Sequence, residues 1–488
     1  MTAPPTNAPV GTSDDTSLRT NSLGVLGVTM TVVSAAAPLT VMAGVAPVAL
    51  AVGGVGVPSA YLLAGVVLTV FAIGFTAMAS SIPRTGGFFV YIGHAFGGTA
   101  GFAAAVVAIV SYNCLQIGVY GLFGVQTQAA LQDLFGLDVP WPVITVVAVV
   151  AVYLLGIRGI DLGARVLTVL IVLEAGILSL LALAIVFQGG ADGLGVASFD
   201  PSNVFTEGTM ATIGICFAAF MGFESTALYR AEAKDARRTI PRATFLAVAF
   251  MGLFYCFVVW TIVQALGQDN VEAGAGEAGP ALFFTTINTY LGPWAEHAMY
   301  VLVVTSVYAS QLAFHHAINR YVHGMARHGA LPAAFARTNR AGSPVVAGTV
   351  QTVLALVVVL GFAAFGADPF TDLLIGVNTP GVVGVVLLQA VASLAAVRFF
   401  LRHRDVPRRP LVIGSSVLAA VLMLLVIWQF LDHIAVFTGA PPEMNRVLVS
   451  VIPVVVVLAV VAGLVMRRVR PDVIAELAHE GEDEEVVR

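Results

Sequence analysis

Twelve apolar runs, each close to the ~20 residues that the hydrocarbon core of a bilayer requires, leave this chain few folds to choose from. They cover residues 25–50, 58–80, 99–130, 141–157, 164–187, 208–230, 241–266, 296–322, 344–366, 369–400, 411–431 and 447–466. Lipid offers the backbone no hydrogen-bond partners, so a run of this length satisfies its own N–H and C=O groups only as a helix. Composition agrees: 58% of the 488 residues are hydrophobic and 10% are charged, where soluble domains carry about 25% charge. The expectation is an all-α integral membrane protein with about 12 transmembrane helices.

Charge orients the spans. If residue 1 starts on the cytoplasmic side, only Arg446 of the 23 Lys and Arg residues falls outside. The inner connections hold Arg230, Lys234, Arg237, Arg238 and Arg242, then Arg320, Arg327, Arg337 and Arg340, then the basic residues between Arg398 and Arg409. The outer connections hold Asp133, Asp138, Asp192, Asp200, Glu207, Asp269, Glu272 and Glu277. Cytoplasmic loops are enriched in basic residues, so both termini are expected in the cytosol and the protein in the cytoplasmic membrane. Residues 1–24 are rich in Thr, Pro and Ser and lack the basic start and short apolar core of a signal peptide, so a disordered cytoplasmic tail is expected there. Residues 468–488 are expected to be an acidic cytoplasmic tail. Cys114, Cys216 and Cys256 lie far apart within predicted spans, without the spacing of a disulfide framework or a metal site, so no cofactor or metal is expected.

Two spans carry chemistry that breaks helices. Segment one contains Ser34-Ala35-Ala36-Ala37-Pro38, and proline lacks the N–H that a helix interior needs. Segment six contains Phe220-Met221-Gly222-Phe223-Glu224, a glycine beside a carboxylate in an otherwise apolar run. Burying a charge at that depth costs roughly 2.5–3.5 kcal/mol on insertion scales, so an intramembrane acid marks a functional site by default. Irregular backbone at matching positions of two halves points to inverted repeats with a binding site between them. The expected organisation is a ten-helix core over 25–400, with repeats at 25–190 and 205–400, followed by two additional helices over 401–467.

Three further stretches carry a family resemblance. Ile82-Pro83-Arg84-Thr85-Gly86-Gly87-Phe88-Phe89-Val90-Tyr91, ending in Ala95-Phe96-Gly97, resembles a P-x-x-G-G-x-Y-x-Y opening of helix three. The Phe220 to Glu224 stretch is followed by Glu232-Ala233-Lys234-Asp235-Ala236-Arg237-Arg238-Thr239-Ile240-Pro241-Arg242-Ala243, with Ala236 where the pattern usually has a proline. Arg320 and Met325-Ala326-Arg327-His328-Gly329-Ala330-Leu331-Pro332 resemble R-x-x-x-x-M-A-R-D-G-x-L-P, with His328 in place of Asp. In this order the chain resembles the amino acid–polyamine–organocation superfamily. The resemblance implies a LeuT-like five-plus-five inverted repeat with discontinuous helices 1 and 6. It also implies alternating access and an amino acid or amine as substrate.

Unwound helices expose N–H groups that attract a carboxylate and carbonyls that attract an ammonium. Ser34, Ala35, Ala36 and Ala37 in segment one, and Phe220, Met221, Gly222 and Phe223 in segment six, are the candidate substrate cradles. Relatives often carry a Gly-rich run in helix one, and the methyl groups here narrow the approach of a carboxylate. Tyr112, Gln116 and Tyr120 share one helix face by i, i+4 spacing, which makes Tyr112 and Gln116 candidates for substrate contact or for helix–helix glue. Resemblance suggests Glu224 as a proton-sensitive gate, and the bland alternative is an acceptor for loose backbone N–H groups. Glu174 lies near the place where proton-coupled relatives carry a lysine, so it is a second candidate for proton coupling. Thr305 and Ser306 keep sodium open as the coupling ion, although membrane hydroxyls often bond back to their own helix.

The rival transport reading is an amine or polyamine carrier, in which Glu224 or Glu174 neutralises the substrate cation. An enzyme would need a nucleophile with its base or clustered metal ligands, and the chain has no Ser/His/Asp constellation, HExxH or P-loop. His315 and His316 lack a second ligand cluster. A channel would need a repeated filter or a ring of like charges. A non-enzymatic transporter is the expectation.

Overall fold

A computed structural model describes residues 23–82, 87–158, 164–230, 232–403 and 408–479. The tail before residue 23, the acidic stretch from Glu480, and residues 83–86 of the helix-three motif lie outside the described residues. Secondary structure among the described residues is helical, apart from an isolated bridge between Leu23 and Ala233. The first half comprises α1 (Val25–Ala36), α2 (Pro38–Gly44), α3 (Ala46–Gly53), α4 (Val57–Ser81), α5 (Phe88–Phe96), α6 (Gly98–Phe135), α7 (Trp141–Ile157) and α8 (Ala164–Gln188). A short α9 (Pro201–Val204) leads to α10 (Glu207–Ala218), α11 (Ala236–Leu266), α12 (Val271–Ala278), α13 (Leu282–Leu291), α14 (Pro293–Arg327), α15 (Val345–Ala364) and α16 (Asn378–Arg402). The chain closes with α17 (Arg409–Asp432), α18 (Ile434–Thr438), α19 (Pro442–Val469) and α20 (Pro471–His479). Among the described residues, 11 helices are long and apolar enough to cross a bilayer, and α7, with 17 residues, is a shorter apolar helix.

Both expected interruptions are present, and each differs in detail from a single break. Segment one breaks twice, at Ala37 and again at Val45, and runs on to Gly53. Pro38 and Pro47 each sit in the first turn of the helix they open, where the missing N–H costs nothing. Segment six does not resume as an α-helix after its break: Phe223–Tyr229 is a 3₁₀ segment. Segment ten begins as a π-helix over Pro369–Val377, a widened turn often found at functional positions.

Small residues set the packing that fixes the second break. Gly65 of α4 and Gly252 of α11 face each other, so a Cβ on Gly65 would lie 3.2 Å from the Gly252 Cα. Close backbone approach of this kind replaces the hydrophobic drive that lipid removes. Beside that contact, the Tyr255 ring stands edge-on to Tyr61 at 5.9 Å and to Phe220 at 5.8 Å. Phe223 is held the same way by Phe71, at 5.9 Å.

Two stretches read as connections carry structure. The connection after α11 folds into α12 and α13. Within the expected acidic tail, Pro471–His479 forms α20. Val473, Ile474 and Leu477 form its buried face, a spacing that the surrounding acidic residues hid. This face lies on the α5–α6 corner, where Gly93 and Gly98 admit the backbone of Leu477 and Ile474. His328, just past α14, meets Glu476 at 3.2 Å. Replacing Ile474 and Leu477 together by Asp should lower the melting temperature in nanodiscs by several degrees, because burying two aliphatic side chains contributes about 3 kcal/mol or more. An unchanged melting temperature would show that α20 is not docked.

Candidate functional site

The first break is built by Ala37, whose φ of 49° lies in the left-handed region that alanine rarely adopts. Its N–H caps α1 by donating to the Val33 carbonyl, while Pro38 has no N–H to continue the ladder. The groups released there find partners on other helices. The Ser310 hydroxyl of α14 donates to the Ala35 carbonyl at 3.1 Å. The Leu39 N–H donates to Glu174 Oε2 of α8 at 3.4 Å. Thr40 and Ser306 share a hydroxyl–hydroxyl bond at 3.0 Å, and Ser306 also hydrogen-bonds the Glu174 carboxyl. Glu174 therefore spans the start of α2 and the middle of α14.

The second break tightens before it opens. The N–H groups of Ala219, Phe220 and Met221 donate three residues back, to Cys216, Phe217 and Ala218. Gly222 then turns to a φ of 109°, open to glycine and strained for other residues. Its N–H donates to Glu224 Oε2 at 3.1 Å. Glu224 Oε1 accepts from the Tyr112 hydroxyl of α6 at 2.7 Å. Glu224 thus caps the broken turn and ties it to α6.

The two breaks touch. A Cβ built on Gly222 would lie 3.3 Å from the Ala35 Cβ and 3.6 Å from the Ala36 nitrogen. Ser34, Ala36, Ala37, Phe220, Met221 and Phe223 are buried around this contact. The structure thereby brings together the segment-one and segment-six candidates, Glu224 and Tyr112. Glu174 and Ser306 gather one turn along, at the start of α2.

Other candidates go elsewhere. Gln116 donates to the Gln311 carbonyl and Gln311 donates back to the Gln116 carbonyl, both at 3.1 Å, and Gln351 donates to Gln116 Oε1. Its amide is committed to α14 and α15. Thr305 bonds back to Leu302 at 2.9 Å, so the adjacent hydroxyls of Thr305 and Ser306 serve different partners. Sequence reasoning missed Ser310, although it lies one helical turn beyond Ser306 and could have been found by that spacing.

Near residue 23 the chain is tied to the motif that follows segment six. Leu23 N–H donates to the Glu232 carbonyl at 2.9 Å, and Lys234 N–H donates to the Leu23 carbonyl at 2.8 Å. Arg320 reaches Glu232 at 3.7 Å and lies over the Tyr229 ring at 5.7 Å. The charged motif after segment six therefore pins the chain ahead of α1 to the base of α14.

Gly222→Ala is expected to destabilise the protein by about 1–3 kcal/mol, from the positive φ alone. Thermal unfolding of the purified variant in nanodiscs checks this, and a wild-type melting temperature would place the break at another residue.

Comparison with known proteins agrees with this architecture. The family model described as amino acid permease matches residues 23–465. An uncharacterized transporter of Mycobacterium tuberculosis is 26% identical over 341 residues, covering 67% of this chain and 72% of that protein. A low-affinity putrescine importer of Escherichia coli is 24% identical over 301 residues, covering 57% of this chain and 61% of that protein. A branched-chain amino acid permease of Lactococcus lactis is 25% identical over 346 residues, covering 67% and 72%. The match spans nearly every helix and both breaks, and these relatives are transporters, not enzymes. The chain belongs to the amino acid permease family, within the amino acid–polyamine–organocation superfamily.

Proposed function

We propose that this transporter carries amino acids across the cytoplasmic membrane by alternating access, with both termini in the cytosol. The substrate lies between residues 34–37 and 220–223, and the core is a five-plus-five inverted repeat over 25–400. The observation that carries the reading is the contact of the two interruptions, with Gly222 against Ala35 and Ala36 in the interior of the helix bundle. Carbonyls at the ends of α1 and α10 keep a second lone pair that suits an ammonium, and a substrate carboxylate would take N–H groups that Glu174 and Glu224 hold in this state. An α-amino acid satisfies both. Closure at Leu23, Glu232 and Arg320 supports a state sealed on the cytoplasmic side, in which the site is reached from outside.

The coupling ion in this reading is the proton. Glu224 and Glu174 each bridge a break to a neighbouring helix, so a change in either charge alters how that break is held. Sodium is the weaker reading, because the Thr305 hydroxyl bonds along its own helix to Leu302 while the Ser306 hydroxyl bonds Thr40 of α2, so the two adjacent hydroxyls do not serve one shared partner.

Glu224→Gln should fold and transport with a rate that no longer varies with pH, measured by counterflow of radiolabelled substrate in proteoliposomes. Retention of the wild-type pH profile would remove Glu224 from coupling. For the substrate class, the test is thermal stabilisation by amino acids set beside their decarboxylated amines. A ligand of the folded state raises the melting temperature with the logarithm of its concentration over its Kd. Amino acids are expected to stabilise and the matching amines are not; the reverse would make this an amine carrier.

A further inference from the structure

We propose that α20 is a strap that holds the tie at Leu23 in place, acting from across the α5–α6 corner. This adds a control element to the alternating-access reading above, on which it rests, and it does not depend on which substrate is carried.

The corner is a joint with one loose residue. α5 and α6 meet at Gly97, whose φ of 97° suits glycine, and a Cβ there would meet nothing within 4 Å. Gly93 and Gly101 close the joint on its inner side, since a Cβ on Gly101 would lie 3.0 Å from the Gly93 Cα. α20 lies across this joint. A Cβ on Gly93 would come within 2.7 Å of the Leu477 carbonyl oxygen, and one on Gly98 would overlap the Ile474 carbonyl. The strap therefore touches the chain on both sides of Gly97. It also reaches the turn after α14. A Cβ on Gly329 would lie 3.1 Å from Arg470 Nη2 and 3.3 Å from Val473 Cγ2, and Glu476 meets His328 at 3.2 Å.

The arm of the joint bears on the tie. Phe89 of α5 stands edge-on to Tyr321 of α14 at 5.7 Å, and the Tyr321 hydroxyl lies against Gly87. The preceding residue, Arg320, reaches Glu232 at 3.7 Å, and the Glu232 carbonyl accepts the Leu23 N–H. Tyr321 also stands 5.7 Å from Tyr112, the partner of Glu224. Contact thus runs without a gap from α20 through α5 and Tyr321 to Arg320, Glu232 and Leu23. Close-packed interiors transmit displacement instead of absorbing it. Lifting α20 off the corner frees α5 to turn about Gly97 and withdraws its support from Tyr321.

The test is backbone hydrogen exchange of the full chain in nanodiscs, read at Leu23 and Lys234, the two amides that form the tie. Exchange at an amide reports how often its hydrogen bond opens. Gly98→Ala puts a methyl group where the Ile474 carbonyl sits, and Ile474→Asp with Leu477→Asp unseats α20 from its own side. In both variants the Leu23 and Lys234 amides should exchange several-fold faster than in the wild type, while those of α17, away from this path, keep their rates. Faster exchange confined to residues 87–101 and 471–479 would overturn the proposal and leave α20 a docked helix with no hold on the tie. No substrate enters the measurement, so its outcome is separate from the transport reading, which counterflow by the wild-type protein decides.

Discussion

Backbone groups in a bilayer have no water to fall back on, and the architecture follows from where two helices are nonetheless allowed to stop. The breaks at Ala37 and Gly222 are tolerated because side chains, from other helices at the first and from Glu224 of the same segment at the second, supply what the helical ladder withholds. Ser310 donates to the Ala35 carbonyl, Glu174 accepts from Leu39 and Glu224 accepts from Gly222. Each of the two buried acids is thus a backbone cap first, and any part it plays in transport must act through that cap. Removing a proton or adding one changes how firmly a break is tied to α6, α8 or α14.

The rest of the bundle serves to hold the breaks in contact. Glycine-to-glycine packing of α4 on α11 brings Tyr61 and Tyr255 against Phe220, and Phe71 against Phe223. On the other side α6 and α14 are joined by the reciprocal Gln116–Gln311 bonds, which present Tyr112 to Glu224. The reciprocal bonds tie α6 to α14, and Gln351 of α15 joins them at the Gln116 side chain. The backbone bonds of Leu23 to Glu232 and Lys234 sit beside the ion pair of Arg320 with Glu232.

Much of this was legible in the sequence. Pro38 and the Gly222-Phe223-Glu224 triplet announce their breaks because proline removes a donor and glycine beside a buried acid has no reason to sit in a plain helix. The helical face of Tyr112 and Gln116 was equally plain. What the two residues touch was not, since Gln311 and Gln351 lie 195 and 235 residues away. The second break at Val45 escaped notice, although Pro47 was there to suggest it. The helices α12 and α20 were missed for opposite reasons: glycines made 271–278 look like loop, and acidic neighbours masked the apolar spacing of Val473, Ile474 and Leu477. Tertiary burial, invisible to local pattern, decided both.

The central claim is that the two interruptions form one binding site, and the most direct measurement is a cryo-EM map of the protein in nanodiscs with L-leucine. The account predicts ligand density between residues 34–37 and 220–223, within hydrogen-bond reach of backbone groups from both breaks. Leucine seated wholly elsewhere, with Gly222 still packed on Ala35 and Ala36, would contradict it.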